Sequence, residues 1–260
     1  MEDIYQEITR LRNDGMLAAL ATIVDRKGST PGKLAQKMVI VADGRCVGTI
    51  GGGCVEADVI RAARHVMDTG LPQKIQFRLS GEEAERTGLA CGGVLEIMIE
   101  CLNDPALYVF GCGHVGKKIA MLASHCGFHV TAIDDRPDFA DPKELPNVHQ
   151  VQVVPMSGLA DNISIGANSY VVSATRGHDH DFDVLLWALQ TKAKYIGILG
   201  SKSKWIQFRQ KLDTKHGISG TQLDHVHCPV GMPIGADTPD EIAVSVVADL
   251  IAQYRLGKGN

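Results

Sequence analysis

The chain has 260 residues, 45% of them apolar and 22% charged, with a formal net charge of −4 and a pI of about 6.2. That length buries a sizeable core and allows one large or two small domains. The acidic balance excludes a general nucleic-acid binder, no apolar run is long enough for a membrane span, and the acidic start Met1-Glu2-Asp3-Ile4 is unlike a signal peptide. Seven cysteines, scattered and without a C-x-x-C pair, favour free thiols in a reducing cytoplasm over a disulfide framework or a zinc knuckle.

In chain order, Ile4, Ile8 and Leu11 repeat at helical spacing and predict an opening amphipathic helix. Residues 16–24 read as a strand. Residues 37–42 and 45–49 flank Asp43-Gly44 and predict a hairpin. Gly51-Gly52-Gly53 then runs into Cys54 and a helical face made of Val55, Val59, Ala62 and Val66, stopped by Gly70 and Pro72. Glycine lets a backbone approach a ligand, a helix N-terminus favours anions, and a thiol placed there deprotonates more easily. This loop is either an anion cradle with a soft nucleophile or a tight strand-to-helix turn with a buried cysteine. Residues 75–79 and 94–99 predict further strands. The charged connection 82–91 between them ends in a second glycine–cysteine loop, Cys91-Gly92-Gly93. These elements describe a small α+β domain over residues 1–103, closed by the polar break Leu102-Asn103-Asp104-Pro105.

Residues 104–260 alternate strands and helices. Strands are predicted at 107–110, 128–133, 170–174 and 195–199, and Val115, Ile119, Leu122 and Cys126 mark one helical face. The last helix begins at Thr238-Pro239-Asp240-Glu241, a capping box with proline at the first helical position. The alternation predicts a Rossmann-type, doubly wound parallel sheet and an α/β fold class for the chain. Gly111-Cys112-Gly113-His114-Val115-Gly116 fits G-x-G-x-x-G, follows a strand, opens a helix and precedes Asp134 at the spacing of a ribose-binding acid. Asp134 and Asp135 suit ribose hydroxyls. Arg136 either meets a 2′-phosphate or pairs with Asp138, and the pairing is favoured.

Ligands in such sheets lie beyond the carboxyl ends of the strands, where three polar loops fall. Arg176-Gly177-His178-Asp179-His180-Asp181 is either a ligand loop or a solvated turn in which an aspartate caps the next helix. Ser201-Lys202-Ser203-Lys204 either neutralises phosphate or starts a charged helix. The loop 229–237, with Gly231 and Gly235, is expected to close over the crevice. No dedicated metal site is expected. Among the thiols, Cys54 and Cys91 suit a soft metal or a persulfide. Cys112 reads as packing, Cys46, Cys101 and Cys126 as core, and Cys228 as undecided.

The ordered set Gly28-Ser29-Thr30-Pro31, Lys37-Met38, Gly48 to Glu56, Cys91-Gly92-Gly93, Gly111 to Gly116, Asp134-Asp135-Arg136, Thr175 to His178, Ile196-Gly197, Gly200-Ser201, Pro229, Gly231, Ile234-Gly235 and Pro239 to Ala243 resembles the XdhC/CoxI family of xanthine dehydrogenase accessory factors. The resemblance spans nearly the whole chain. It implies an XdhC/CoxI domain followed by a Rossmann domain. It further implies a chaperone, rather than an enzyme with its own turnover, that binds the molybdenum cofactor (molybdopterin). Such a chaperone assists sulfuration with a cysteine desulfurase and inserts the cofactor into a molybdenum hydroxylase apo-subunit. Gly51, Gly52, Gly53, Gly111, Gly113, His114, Gly116, Asp134, Asp135, Arg176, His178 and Ser201 are then the expected cofactor-binding residues. Cys54 and Cys91 are the expected sulfur-carrying or molybdenum-contacting thiols. Two positions depart from the family pattern: Gly32 stands where an arginine is usual, with Lys33 next, and Ala35 stands where a glycine is expected. Two other readings stay open, an NAD(P)-dependent oxidoreductase and a nucleotide-sensing regulatory module. A homodimer is the expected assembly.

Overall fold

The computed structural model describes residues 3–13, 16–78, 92–102, 104–163, 165–166 and 168–256. Internal contacts divide the chain into two compact units, Met1–Asp104 and Pro105–Asn260.

The first unit holds α1 (Ile4–Asn13), β1 (Ala18–Lys27), β2 (Lys37–Val41), β3 (Cys46–Gly48), α2 (Gly53–Thr69), β4 (Gln73–Arg78) and β5 (Val94–Cys101). The strands form one antiparallel sheet in the order β3-β2-β1-β5-β4. Side chains alternate between faces along a strand. Ala19, Ala21 and Ile23 of β1 therefore join Val55, Val59, Ala63 and Val66 of α2, while Ala18 and Leu20 join Leu11 of α1 on the other face. The helix α2 stops where Gly70 takes a left-handed conformation at φ 72° and donates its N–H to the Val66 carbonyl.

The second unit holds β6 (Ala106–Phe110), α3 (His114–His125), β7 (His129–Asp134), β8 (Gln150–Val153), α4 (Leu159–Asn162), β9 (Ser169–Ser173), α5 (His178–Ala188), β10 (Tyr195–Ile198), α6 (Lys202–His216), β11 (Val226–His227) and α7 (Pro239–Leu256). Its six-stranded parallel sheet runs β11-β10-β9-β6-β7-β8. This is the strand order of dinucleotide-binding domains, and it reverses direction between β6 and β9. Leu107 and Val109 pack with α3 and α7 on one face, and Phe110 packs with α5 and α6 on the other. The capping box at α7 forms as expected: Thr238 Oγ1 accepts from Glu241 N at 3.3 Å, and Glu241 Oε2 accepts from Thr238 N at 3.0 Å.

Two thiols expected in the core are exposed. Cys46 lies on the edge strand β3, and Cys126 is the residue that ends α3, beyond its buried face. Among the described residues, no helix is long and apolar enough to cross a membrane.

Candidate functional site

The fingerprint glycines divide into two that pack and one that is open. A Cβ on Gly116 would lie far inside 3.0 Å of the Gly111 carbonyl oxygen, so the third glycine lets α3 sit against the end of β6. Gly111 has φ 95°, and a Cβ there would collide with Ala174 beyond β9. Gly113 caps α3 at φ −69°, and a Cβ there would meet nothing within 4 Å. The second glycine therefore leaves the backbone approachable at the N-terminus of α3, at the switch point between β6 and β9. His114 and His178 begin α3 and α5 and are both exposed.

The acids at the end of β7 are already engaged. Asp134, 1% exposed, accepts from Cys112 N at 2.7 Å, from Arg136 N and Nη2 at 3.0 Å, and from Arg136 Nε at 2.9 Å. Burial alone would raise its carboxyl, but the Arg136 guanidinium and the two amides outweigh it and hold the group below the usual aspartate range. Arg136 thus pairs with Asp134, not with the expected Asp138, because the carboxylate two residues back matches its planar fork. The guanidinium carbon also lies 3.6 Å from the centre of the Phe139 ring. Asp135 accepts from Arg176 Nη2 at 2.7 Å, which joins the loop after β9 to the loop after β7.

The loop 176–181 departs from the reading in which an aspartate caps the next helix. Gly177 caps α5 without a side-chain bond, so no aspartate caps that helix. Asp181 instead turns inward. It accepts from Ser173 Oγ at 2.6 Å, Thr175 Oγ1 at 2.7 Å and Thr175 N at 3.1 Å, and it pairs with Lys204 Nζ. Lys204 is buried and also donates to the Leu199 carbonyl at 2.8 Å. Nothing in the spacing of the sequence marks Asp181 and Lys204 as a pair. Their one legible signal is charge at two positions facing a strand end, where the helical pattern calls for an apolar residue. Ser201 caps α6 by accepting from Lys204 N at 3.2 Å, so that segment is a charged helix start. In the loop 229–237, Gly231 N bonds Asp249 and Met232 N bonds the Ser245 carbonyl, which ties this part of the loop to α7.

In the first unit the family-pattern loops converge. A Cβ on Gly28 would lie 3.2 Å from Gly93 Cα, and one on Gly51 would lie 2.7 Å from Pro31 Cβ. The segments Gly28 to Pro31, Gly51 to Gly53 and Gly92-Gly93 therefore meet at one end of the sheet. Cys91 lies outside the described residues, and Cys54 is the second residue of α2. Part of the expected anion cradle is filled from within. Glu56 Oε1 accepts from Thr49 Oγ1 at 2.5 Å, Gly52 N at 2.9 Å and Ile50 N at 3.1 Å. Burial would raise this carboxyl, but the hydroxyl and the amides outweigh it and hold it below the usual glutamate range. Gly52 and Gly53 stay open, since a Cβ on either would meet nothing within 4 Å. Burial pushes the Cys112 thiol up to about 12 and the Cys228 thiol up to about 11, which makes both poor nucleophiles near neutral pH.

Both family departures have a physical account. Gly32 has φ 77°, with the position a Cβ would take 2.7 Å from Ile23 Cδ1 and 2.9 Å from the Ile50 carbonyl oxygen, so an arginine does not fit this loop. Ala35 holds a left-handed φ of 63°, the conformation in which glycine is preferred. A left-handed alanine costs roughly 1–2 kcal/mol, against about 0.4–1 kcal/mol of extra unfolded-state entropy for glycine. Ala35→Gly should therefore stabilise the protein by about 0.5–1 kcal/mol, read as a higher urea midpoint; a lower midpoint would refute the strain.

A parallel sheet in dinucleotide-binding order, with a glycine fingerprint open at its switch point and an antiparallel α+β unit ahead of it, defines a two-domain protein of the Rossmann class. Family comparison is more specific: residues 107–250 match the XdhC Rossmann domain, and residues 11–78 match the XdhC and CoxI family. The chain belongs to the XdhC and CoxI family. The uncharacterized protein YqeB of Escherichia coli (strain K12) is 33% identical over 251 residues, covering 96% of this chain and 46% of YqeB, so the chain spans under half of that relative. A probable xanthine dehydrogenase subunit of Bacillus subtilis (strain 168) is 24% identical over 96% of this chain and 97% of its own. The molybdenum cofactor insertion chaperone PaoD of Escherichia coli (strain K12) is 23% identical over 98% of this chain and 90% of its own. A crystal structure of a xanthine dehydrogenase from Bacillus halodurans shares the fold with a TM-score of 0.55 at 22% identity, over 98% of this chain and 96% of that one.

Proposed function

We propose that this protein is an accessory factor that binds the molybdenum cofactor as cargo, assists its sulfuration and inserts it into a xanthine dehydrogenase-type molybdenum hydroxylase. The observation that carries the reading is the open backbone at Gly113, at the N-terminus of α3 and the switch point of the sheet. That position fits the phosphate of a pterin cofactor, because helix-terminal N–H groups and a glycine without a Cβ admit an anion closely. In the first unit, Cys54 at the start of α2 offers a soft thiol suited to carrying sulfur. In the sulfuration step the Cys54 thiolate attacks the outer sulfur of a cysteine desulfurase persulfide. The S–S bond breaks, the desulfurase thiolate leaves, and Cys54 carries the sulfur onward.

The PaoD and Bacillus subtilis xanthine dehydrogenase relatives support this class of client. An NAD-dependent oxidoreductase fits less well, because Asp134 is buried and fully engaged where such an enzyme needs a free carboxylate for the ribose diol. The test is activation of a purified apo-hydroxylase with cofactor and a desulfurase. Cys54→Ala and Cys91→Ala should each lower activation roughly tenfold or more while keeping the wild-type melting midpoint. Full activation by both variants would remove the thiols from the account, and activation that does not depend on the accessory protein would remove the function itself.

A further inference from the structure

The corner of the crevice where dinucleotide-binding domains hold a ribose has its acidic side turned inward here. A ribose diol needs a carboxylate free to accept two O–H protons. Asp134 takes one N–H from Cys112 and three from Arg136, and Asp135 takes one from Arg176. The Arg136 side chain is 27% and the Arg176 side chain 48% exposed, and Asp135, 21% exposed, lies between them as the ion-pair partner of both.

We propose that Arg136 sets the ligand class of this corner: it closes Asp134 to a ribose diol and offers donors to a phosphate monoester. A guanidinium has five N–H donors. Asp134 uses the Nε proton and one on Nη2, so three remain outside that pair. Stacking on Phe139 fixes the plane in which they lie. A phosphate monoester has only acceptors to offer, so it matches those donors without disturbing the Asp134 pair. A diol must break at least one of the Arg136 bonds to reach the carboxylate. The charges of Asp134, Asp135, Arg136 and Arg176 sum to zero, so the preference comes from directional bonding to a planar fork and not from net charge. The inference rests on the crevice being the ligand site, not on which cargo it carries.

The test compares calorimetric binding of ADP-ribose, which presents the diol, with 2′-phospho-ADP-ribose, which presents a phosphate monoester. The wild-type protein should bind the phosphorylated probe at least about tenfold more tightly. Arg136→Ala should invert the order, weakening the phosphorylated probe and strengthening the diol as Asp134 is released. Arg136→Lys keeps the cation but cannot span both carboxylate oxygens; it should bring the two affinities together, and it carries the test if the alanine variant melts below the assay temperature. Equal or tighter binding of the diol by wild type, an unchanged ratio in the variants, or binding of neither probe would overturn the proposal. If that happens while cofactor binding persists, only the Arg136 assignment fails. If the probe preference holds while cofactor binding is absent, only the cargo assignment fails.

Discussion

Asp181→Ala should destabilise the second unit by about 3–5 kcal/mol, the usual cost of leaving one partner of a buried ion pair uncompensated. Lys204 is 6% exposed, and without Asp181 its ammonium would keep the Leu199 carbonyl but lose its counter-charge. The Ser173 and Thr175 hydroxyls and the Thr175 amide would lose their shared acceptor as well. The melting midpoint should fall by on the order of 10 °C. The combination Asp181→Asn with Lys204→Met removes both charges and keeps an acceptor for Thr175, so it should recover most of the loss. This pattern separates an electrostatic penalty from a packing one: a double variant as unstable as Asp181→Ala would point to packing. A loss under about 1 kcal/mol for Asp181→Ala would mean that the pair is not held as described.

Gly116→Ala should cost about 3 kcal/mol or more, although alanine is the better helix former by about 1 kcal/mol. The new methyl would point at the Gly111 carbonyl oxygen, and Gly111 cannot retreat. Its own N–H is bound to the Ile133 carbonyl at 2.7 Å, and Ala174 stands against its other side. Overpacking against fixed backbone therefore outweighs the propensity gain, and α3 must move away from β6. Gly113→Ala, in the same loop, should change stability by less than about 0.5 kcal/mol, since its Cβ meets nothing within 4 Å. Urea unfolding of the two variants checks both expectations, and equal effects would refute the division into packing and open glycines.

The parts legible in the sequence were those with a strong period or a fixed chemical signature. The apolar strands β6, β7, β9 and β10 and the α7 capping box fall where alternation and spacing place them. The edge strand β8, Gln150–Val153, and the two-residue β11 were missed because half of β8 is glutamine and β11 is too short to show alternation. At the candidate site the glycines were readable because turn and close approach each demand them. The partners of the charged residues were not. Whether Arg136 reaches Asp134 or Asp138, and whether Asp181 caps its helix or turns in to Lys204, depends on side-chain direction and on strands distant in sequence. The loops Gly28 to Pro31, Gly51 to Gly53 and Gly92-Gly93 lie far apart in sequence, and only the tertiary fold brings them together.

The most direct measurement is retention of molybdenum cofactor, released from a purified molybdenum hydroxylase, by this protein in anaerobic gel filtration, with pterin and molybdenum quantified in the protein peak. The account predicts pterin and molybdenum together at near-equal amounts on the wild-type protein. It predicts at least about tenfold weaker retention by Gly113→Ala, with the two proteins melting alike. Folded wild-type protein that elutes without pterin, or Gly113→Ala that retains as much as wild type, would contradict it.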